Sequence, residues 1–228
     1  MRVLITRPYE DGEAIASLLA AAGHRPLLAP VLATRWFDGP PLDLSGVAAI
    51  LSTSANGVRA LVRRTPCRDI PIFAVGPQTT AEAAKAGFAR IENADGDARA
   101  LAEAVPRWLA PQAGALLHVC GEQNEGSLAE ALTAQGYAVR REILYVVQPL
   151  TLQAAAIEAL RVQTIDAALF FSPRSARIFA GQVEGLPLQA VTAFCISPAT
   201  AKALPEARFA AVRIAAKPNQ DALLALLK

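Results

Sequence analysis

The chain predicts an α/β fold made of two similar parallel-sheet domains, and three observations carry that expectation. Short apolar runs alternate with alanine-rich stretches of helical period. The runs stop at small and hydroxyl-bearing turn residues, and the first part of the chain is repeated in the second. Alternating short strands and helices are the pattern of parallel sheets covered on both faces. At 228 residues there is enough chain for one large domain or two small ones, each with its own core.

In order, Val3 to Thr6 reads as a strand, Glu13 to Ala22 as an amphipathic helix, Gly23-His24 as its stop, and Leu27 to Ala29 as a second strand. Pro30 to Phe37 continues extended until Asp38-Gly39-Pro40-Pro41 breaks it. Strands follow at Ala48 to Ser52, Ile72 to Val75, Arg90 to Asn93 and Leu116 to Cys120, each with a helix after it. Val139 to Val147 is a long extended run ending at Gln148-Pro149. A helix over Gln153 to Arg161 precedes strands at Ala168 to Phe171, Phe194 to Ile196 and Val212 to Ala215, and a last helix covers Asp221 to Leu227.

The stretch from Phe194 to Leu204 shows how one such unit is built. The apolar run Phe194-Cys195-Ile196 stops at Ser197-Pro198, where Pro198 suits the first helical position and Ser197 can cap the next free amides. Free amides at a helix N-terminus, beyond the carboxyl end of a parallel strand, also suit an anion.

Four segments recur in the same order with slowly growing separation. Leu19 to His24 resembles Leu132 to Tyr137, Val47 to Thr53 resembles Asp166 to Ser172, Gly76 to Thr79 resembles Ser197 to Thr200, and Ala100-Leu101 resembles Ala222-Leu223. Shared helix propensity does not produce such an ordered set, so two similar domains are inferred. The repeat alone leaves the boundary open. A cut near residue 113 gives two consecutive halves. If instead the runs at Val31 to Phe37 and Ile143 to Gln148 are crossovers, one domain is 1–33 plus 149–228 and the other 38–142, with connectors at 34–37 and 143–148.

Composition excludes several classes. Hydrophobic residues make up 53% and charged residues 18%, which describes a globular chain. A net charge of +2, spread along the chain, leaves no basic stripe for nucleic acid. The apolar runs are too short to span a membrane, and Met1-Arg2 leads straight into a strand rather than a secretory signal. Cys67, Cys120 and Cys195 lack metal-ligand spacing and fit reduced thiols of a cytoplasmic protein. There is no phosphate-loop motif, so nucleotide binding loses its usual fingerprint, and there is no nucleophile elbow and no cluster of metal-ligating residues. His24, in a turn, and His118, inside a strand, read as structural.

The expected strand ends carry Thr6-Arg7-Pro8, Ser52 to Gly57, Gly76 to Thr80, Cys120-Gly121-Glu122, Ser172 to Ser175 and Ser197 to Thr200. Hydroxyls and helix-terminal amides dominate these ends, with Arg7 and Arg174 as forked cations suited to carboxylates. The candidate ligand is a multiply charged anion, and the candidate contacts are Arg7, Ser54, Asn56, Thr79, Gly121, Ser172, Arg174, Ser175 and Thr200.

On VLITRP at the start, LSTSANGVRAL at 51–61, VGPQTTAEA at 75–83, FFSPRSA at 170–176 and ISPATAKAL at 196–204, the chain resembles the uroporphyrinogen-III synthase family over essentially its whole length. The resemblance implies two α/β domains joined by a two-stranded antiparallel connector, with a cleft between them, and so favours the crossover boundaries. It also implies a cofactor-free, cytoplasmic, monomeric lyase of tetrapyrrole and heme biosynthesis. Its substrate would be the polycarboxylate hydroxymethylbilane, and it would make a transient contact with the enzyme upstream, with no membrane or nucleic-acid partner. Tyr145 matches the connector tyrosine of the family and is the implied proton donor; Ser54, Thr79, Ser172 and Thr200 match its cleft positions. Ser197 stands where the other repeat has Gly76, which predicts a turn less free to visit positive φ. The rival reading is a non-catalytic two-domain module of the same fold that binds a tetrapyrrole or another polycarboxylate.

Overall fold

The computed structural model describes residues 1–123 and 127–227; residues 124–126 and Lys228, which fall inside the expected domain ranges, lie outside the described residues. The chain opens with β1 (Arg2–Ile5), α1 (Tyr9–Ala21), β2 (Arg25–Leu28) and β3 (Leu32–Trp36). It continues through β4 (Val47–Ser52), α2 (Ala55–Arg64), β5 (Ile72–Ala74), α3 (Pro77–Lys85), β6 (Ile91–Asn93), α4 (Ala98–Trp108), β7 (Ala115–Gly121), α5 (Ser127–Ala134) and β8 (Val139–Pro149). The remainder is α6 (Ala154–Arg161), β9 (Ala167–Phe170), α7 (Pro173–Gln182), β10 (Thr192–Cys195), α8 (Pro198–Ala201), β11 (Ala211–Ile214) and α9 (Gln220–Leu224).

Two compact units result, one of Met1–Ala33 with Gln148–Lys228 and the other of Thr34–Val147. The five strands of the first unit lie in the order β11-β10-β9-β1-β2, and those of the second sheet in the order β3-β8-β7-β4-β5-β6. Setting β3 aside, the two orders correspond strand for strand, with β9 and β1 in the places of β4 and β7. The described registers among these ten strands are all parallel. The internal repeat of the sequence is therefore a repeat of topology.

Side-chain alternation then builds a core on each face. In the second unit, Ile50, Ile72, Leu117, Val119 and Leu144 face Val58 and Leu61 of α2 and Ala83 of α3. Ala49, Leu51, Phe73 and Leu116 face Leu101 and Val105 of α4 and Leu128 and Leu132 of α5. In the first unit, Val3, Ile5, Ala167, Leu169 and Phe194 pack against Ile15 and Leu19 of α1 and Leu223 of α9. On its other face Phe170 meets Phe179 of α7 edge-on at 5.1 Å between ring centroids.

Three local expectations change. Helix α1 begins at Tyr9 instead of Glu13, because Pro8 is its extended N-cap and Glu10 and Asp11 then fill the first turn, where acidic charge is favoured. The last helix tightens at Leu224 into a 3-10 turn over Ala225–Leu227. Gly76 has φ −170° and Ser197 has φ −155°, so both caps are extended and neither position needs the positive φ that glycine would supply.

Candidate active site

Every helix start named in the sequence reading follows the carboxyl end of a parallel strand, but they are not equivalent. In the second unit, chain order reverses between β4 and β7, because β5 and β6 lie to one side and β8 to the other. Such a switch point opens a crevice beyond the two flanking strands, which is where parallel sheets hold ligands. Ser54 follows β4 and Gly121 ends β7. Tyr145 lies on β8 beside Gly121 in the register. The geometry thus gathers Ser54, Gly121 and Tyr145.

Ser54 is the N-cap of α2 and its Oγ accepts from Gly57 N at 3.1 Å. The same oxygen lies 2.7 Å from the Tyr145 hydroxyl. Gly57 lets α2 come this close to the sheet, since a Cβ there would lie 2.5 Å from Ser52 Oγ and 3.0 Å from the Val119 carbonyl oxygen. Gly121 makes room for the phenol ring in the same way. Trp36 of β3 packs against the ring at a tilt of 55°, with centroids 5.9 Å apart. Tyr145 is 8% exposed, and with Gly121, Glu122, Gln123 and Val147 it lines a hollow of about 200 Å³. Burial pushes the phenol pKa up, and the Ser54 hydrogen bond opposes that shift. The group is a protonated phenol, held in place and partly open on one side.

Asn56 is the second residue of α2, but its amide is already engaged: Nδ2 donates to Thr34 Oγ1 at 3.2 Å and Oδ1 accepts from Arg59 at 3.0 Å. Arg59 in turn pairs with Glu82 of α3 at 2.8 Å. This chain of contacts fixes the first turn of α2 against β3 and α3. Thr79, in the first turn of α3, is 3% exposed.

The first unit has its own switch point between β9 and β1. Ser172 caps α7 with the same φ and ψ as Ser54, −160° and 155°. Its Oγ accepts from Ser175 N at 3.1 Å, while Ser175 Oγ donates to the Ser172 carbonyl at 3.0 Å. Arg174 lies in that first turn. After β1, Arg7 donates to Asp11 at 2.9 Å and stacks over Phe171 at 4.8 Å, so its charge is already balanced by a neighbour. Thr200 is fully buried beneath the start of α8, its hydroxyl 3.0 Å from Ser197 Oγ. Ser54, Ser172 and Ser197 cap their helices, and Ser54 is also joined to Tyr145, far off in sequence.

Sequence reasoning missed Gly57, Thr34, Arg59, Glu82 and Trp36. Of these, Gly57 and Arg59 lie inside the 51–61 motif and Glu82 inside the 75–83 motif, whereas Thr34 and Trp36 carried no signal there. Two of the thiols are held protonated: burial drives Cys195 up to about 12 and also raises Cys120. His118 is fully buried and neutral, lowered to about 4 by burial and then by nearby Arg141. Among the described residues no three metal-ligating side chains converge, and no helix is long and apolar enough to cross a membrane.

The switch point of a doubly covered parallel sheet, here carrying a phenol and a hydroxyl, is where α/β proteins hold small-molecule ligands. The family model of uroporphyrinogen-III synthase HemD matches residues 13–225, and the chain belongs to that family. Its role is catalytic, in tetrapyrrole biosynthesis. The chain is similar in structure to the uroporphyrinogen-III synthetase of Helicobacter pylori, with TM-score 0.68 at 21% identity, covering 100% of this chain and 98% of that one. It is also similar to a mutant uroporphyrinogen III synthase from the extremely thermophilic bacterium Thermus thermophilus, with TM-score 0.52 at 22% identity over 100% and 97% of the two chains. At those identities the likenesses bear on the fold. A sequence comparison with curated proteins gave no match.

Proposed function

We propose that the chain converts hydroxymethylbilane to uroporphyrinogen III as a cofactor-independent hydro-lyase, with Tyr145 as the proton donor. The observation that carries this reading is the Tyr145 hydroxyl, pinned at 2.7 Å to Ser54 and edging the hollow beyond β7. In the family's reaction the terminal hydroxyl leaves as water, the last pyrrole inverts through a spiro intermediate, and the macrocycle closes. An electron-rich pyrrole expels hydroxide with the help of one acid. A phenol raised by burial stays protonated at neutral pH and supplies it.

Without the enzyme the same substrate closes without inversion. The enzyme's main task is therefore orientation, which selects the attacking carbon. The helix-terminal amides after Ser54, and the amides and hydroxyls at Thr79, Ser172, Ser175 and Thr200, with Asn56, Gly121, Arg7 and Arg174, are the groups we assign to the substrate and its carboxylates. We assign 1–33 plus 149–228 and 38–142 as the two domains, with 34–37 and 143–148 as an antiparallel connector, and read the enzyme as a cytoplasmic monomer.

The test is to supply hydroxymethylbilane and separate the products. Type III isomer, formed faster than spontaneous closure, supports the reading. Type I isomer alone, at the spontaneous rate, overturns it and leaves a binding module of the same fold.

A further inference from the structure

We propose that Ser54 is a positioning residue for Tyr145, turning the phenol so that its proton points out of the protein toward the reacting oxygen. This rests on Tyr145 being the donor. A hydroxyl has one proton and two lone pairs. One lone pair of Ser54 Oγ takes the Gly57 N–H at 3.1 Å. That N–H, shared with the Ser54 carbonyl oxygen at 3.0 Å, belongs to the first turn of α2, where the helix dipole leaves partial positive charge. Accepting from it makes Ser54 Oγ a poorer second acceptor and its O–H a better donor. At 2.7 Å the remaining partner is the Tyr145 oxygen. Ser54 therefore donates and Tyr145 accepts, so the phenol's own O–H is left to turn toward the hollow that Tyr145 lines with Gly121.

The direction matters most after the proton moves. The Tyr145 O–H bond breaks, its proton goes to the oxygen leaving the substrate carbon, and that oxygen departs as water with the electron pair of the C–O bond. Tyr145 is left as a phenolate. It regains a proton when the pyrrole ring, on closure, releases one and recovers its aromatic sextet. In between, the phenolate needs a donor, and a hydrogen bond to a charged acceptor is about twice as strong as a neutral one. The chain Gly57 N–H to Ser54 O–H to Tyr145 supplies it, so the helix end acts on the reaction through two hydrogen bonds.

A mere cap makes a different prediction from a positioning hydroxyl. Glycine replaces a serine N-cap at a cost of a few tenths of a kcal/mol. With hydroxymethylbilane as substrate, Ser54→Gly is expected to lose about tenfold in kcat with KM within about twofold and a nearly unchanged melting temperature. Ser54→Thr, which restores the hydroxyl, is expected within about threefold of the parent. Ser54→Asp keeps the cap but can only accept, which draws the phenol's proton inward; it should melt at or above the parent and turn over as slowly as Ser54→Gly. Because Ser54 works through Tyr145, Ser54→Gly with Tyr145→Phe should be no slower than Tyr145→Phe alone. Full kcat in Ser54→Gly or Ser54→Asp overturns the proposal, as do losses that multiply in the double variant. Unchanged turnover in Tyr145→Phe overturns the reading of Tyr145 beneath it, whatever the Ser54 variants do.

Discussion

A methyl group added at Gly121 would lie 2.8 Å from Cε2 and 2.9 Å from Cζ of Tyr145. The phenol ring occupies the space that any other residue at the end of β7 would fill. Gly121→Ala must move the ring or the strand, and the ring is the softer of the two. A shift of about 1 Å at a catalytic group costs up to a hundredfold. We expect kcat to fall at least tenfold while the melting temperature changes little, measured by turnover of hydroxymethylbilane beside thermal unfolding.

Removing the phenol oxygen is the direct test of the proton donor. Tyr145→Phe is expected to slow turnover severalfold to a hundredfold, the range for one general acid. Burial holds the phenol pKa above its ordinary value, with Cys120 as a nearby titratable group. A donor must be protonated, so activity should be kept below that raised pKa and lost above it. The alkaline fall that Tyr145 causes should vanish from the residual activity of the Phe variant. A pH profile of kcat for both proteins checks this.

Gly57→Ala sets two effects against each other. Alanine favours the helix by about 1 kcal/mol, but its Cβ would lie 2.5 Å from Ser52 Oγ and 3.0 Å from a backbone carbonyl that cannot give way. Overpacking of this kind costs about 1–3 kcal/mol. The clash wins, and denaturant unfolding should show a net loss of stability. The same displacement of α2 carries Ser54 away from Tyr145, so turnover should fall with it.

His118 makes the fold acid-sensitive. Among the described residues neither buried ring nitrogen has a hydrogen-bond partner, and its pKa is lowered from 6.5 to about 4. Between those values the unfolded chain binds the proton and the folded chain does not. Its contribution to stability is therefore intact above about pH 6.5 and is lost as pH falls toward 4. The loss is on the order of 3 kcal/mol at pH 4. His118→Leu removes an unpaired polar group and should be close to neutral at pH 7.5. Urea unfolding at pH 7.5 and pH 4.5 should show a smaller acid loss in that variant than in the parent.

The architecture was legible because its signals are local. Strand-stopping turns such as Ser172-Pro173 and Ser197-Pro198 announce helix starts on chemical grounds, and both serines cap as expected. The duplicated order of segments became a duplicated strand order. Tyr145 and Ser54 could each be picked out by resemblance, but their pairing could not: they are 91 residues apart, and the contact depends on β8 lying beside β7. Burial was equally hidden. Thr79 and Thr200 look from sequence like free hydroxyls, yet the first is 3% exposed and the second 0%. Arg7 looked like an open cation until Asp11, one turn on, paired with it. Side chains that answer to distant strands leave no periodicity to read.

The crossing of β9 into the sheet of β1 also sets an order of assembly on the ribosome. β1 and β2 emerge first, but a two-stranded parallel pair is marginal alone. Its next partner, joined at Val3↔Ala167, is made only after all six strands of the other sheet. The inserted unit can therefore close while the flanking one still waits for its central strand. During that interval the apolar faces of β1 and α1, with Val3, Ile5, Ile15 and Leu19, are uncovered. The nascent chain is most exposed to misassociation there, and a chaperone has the most to protect.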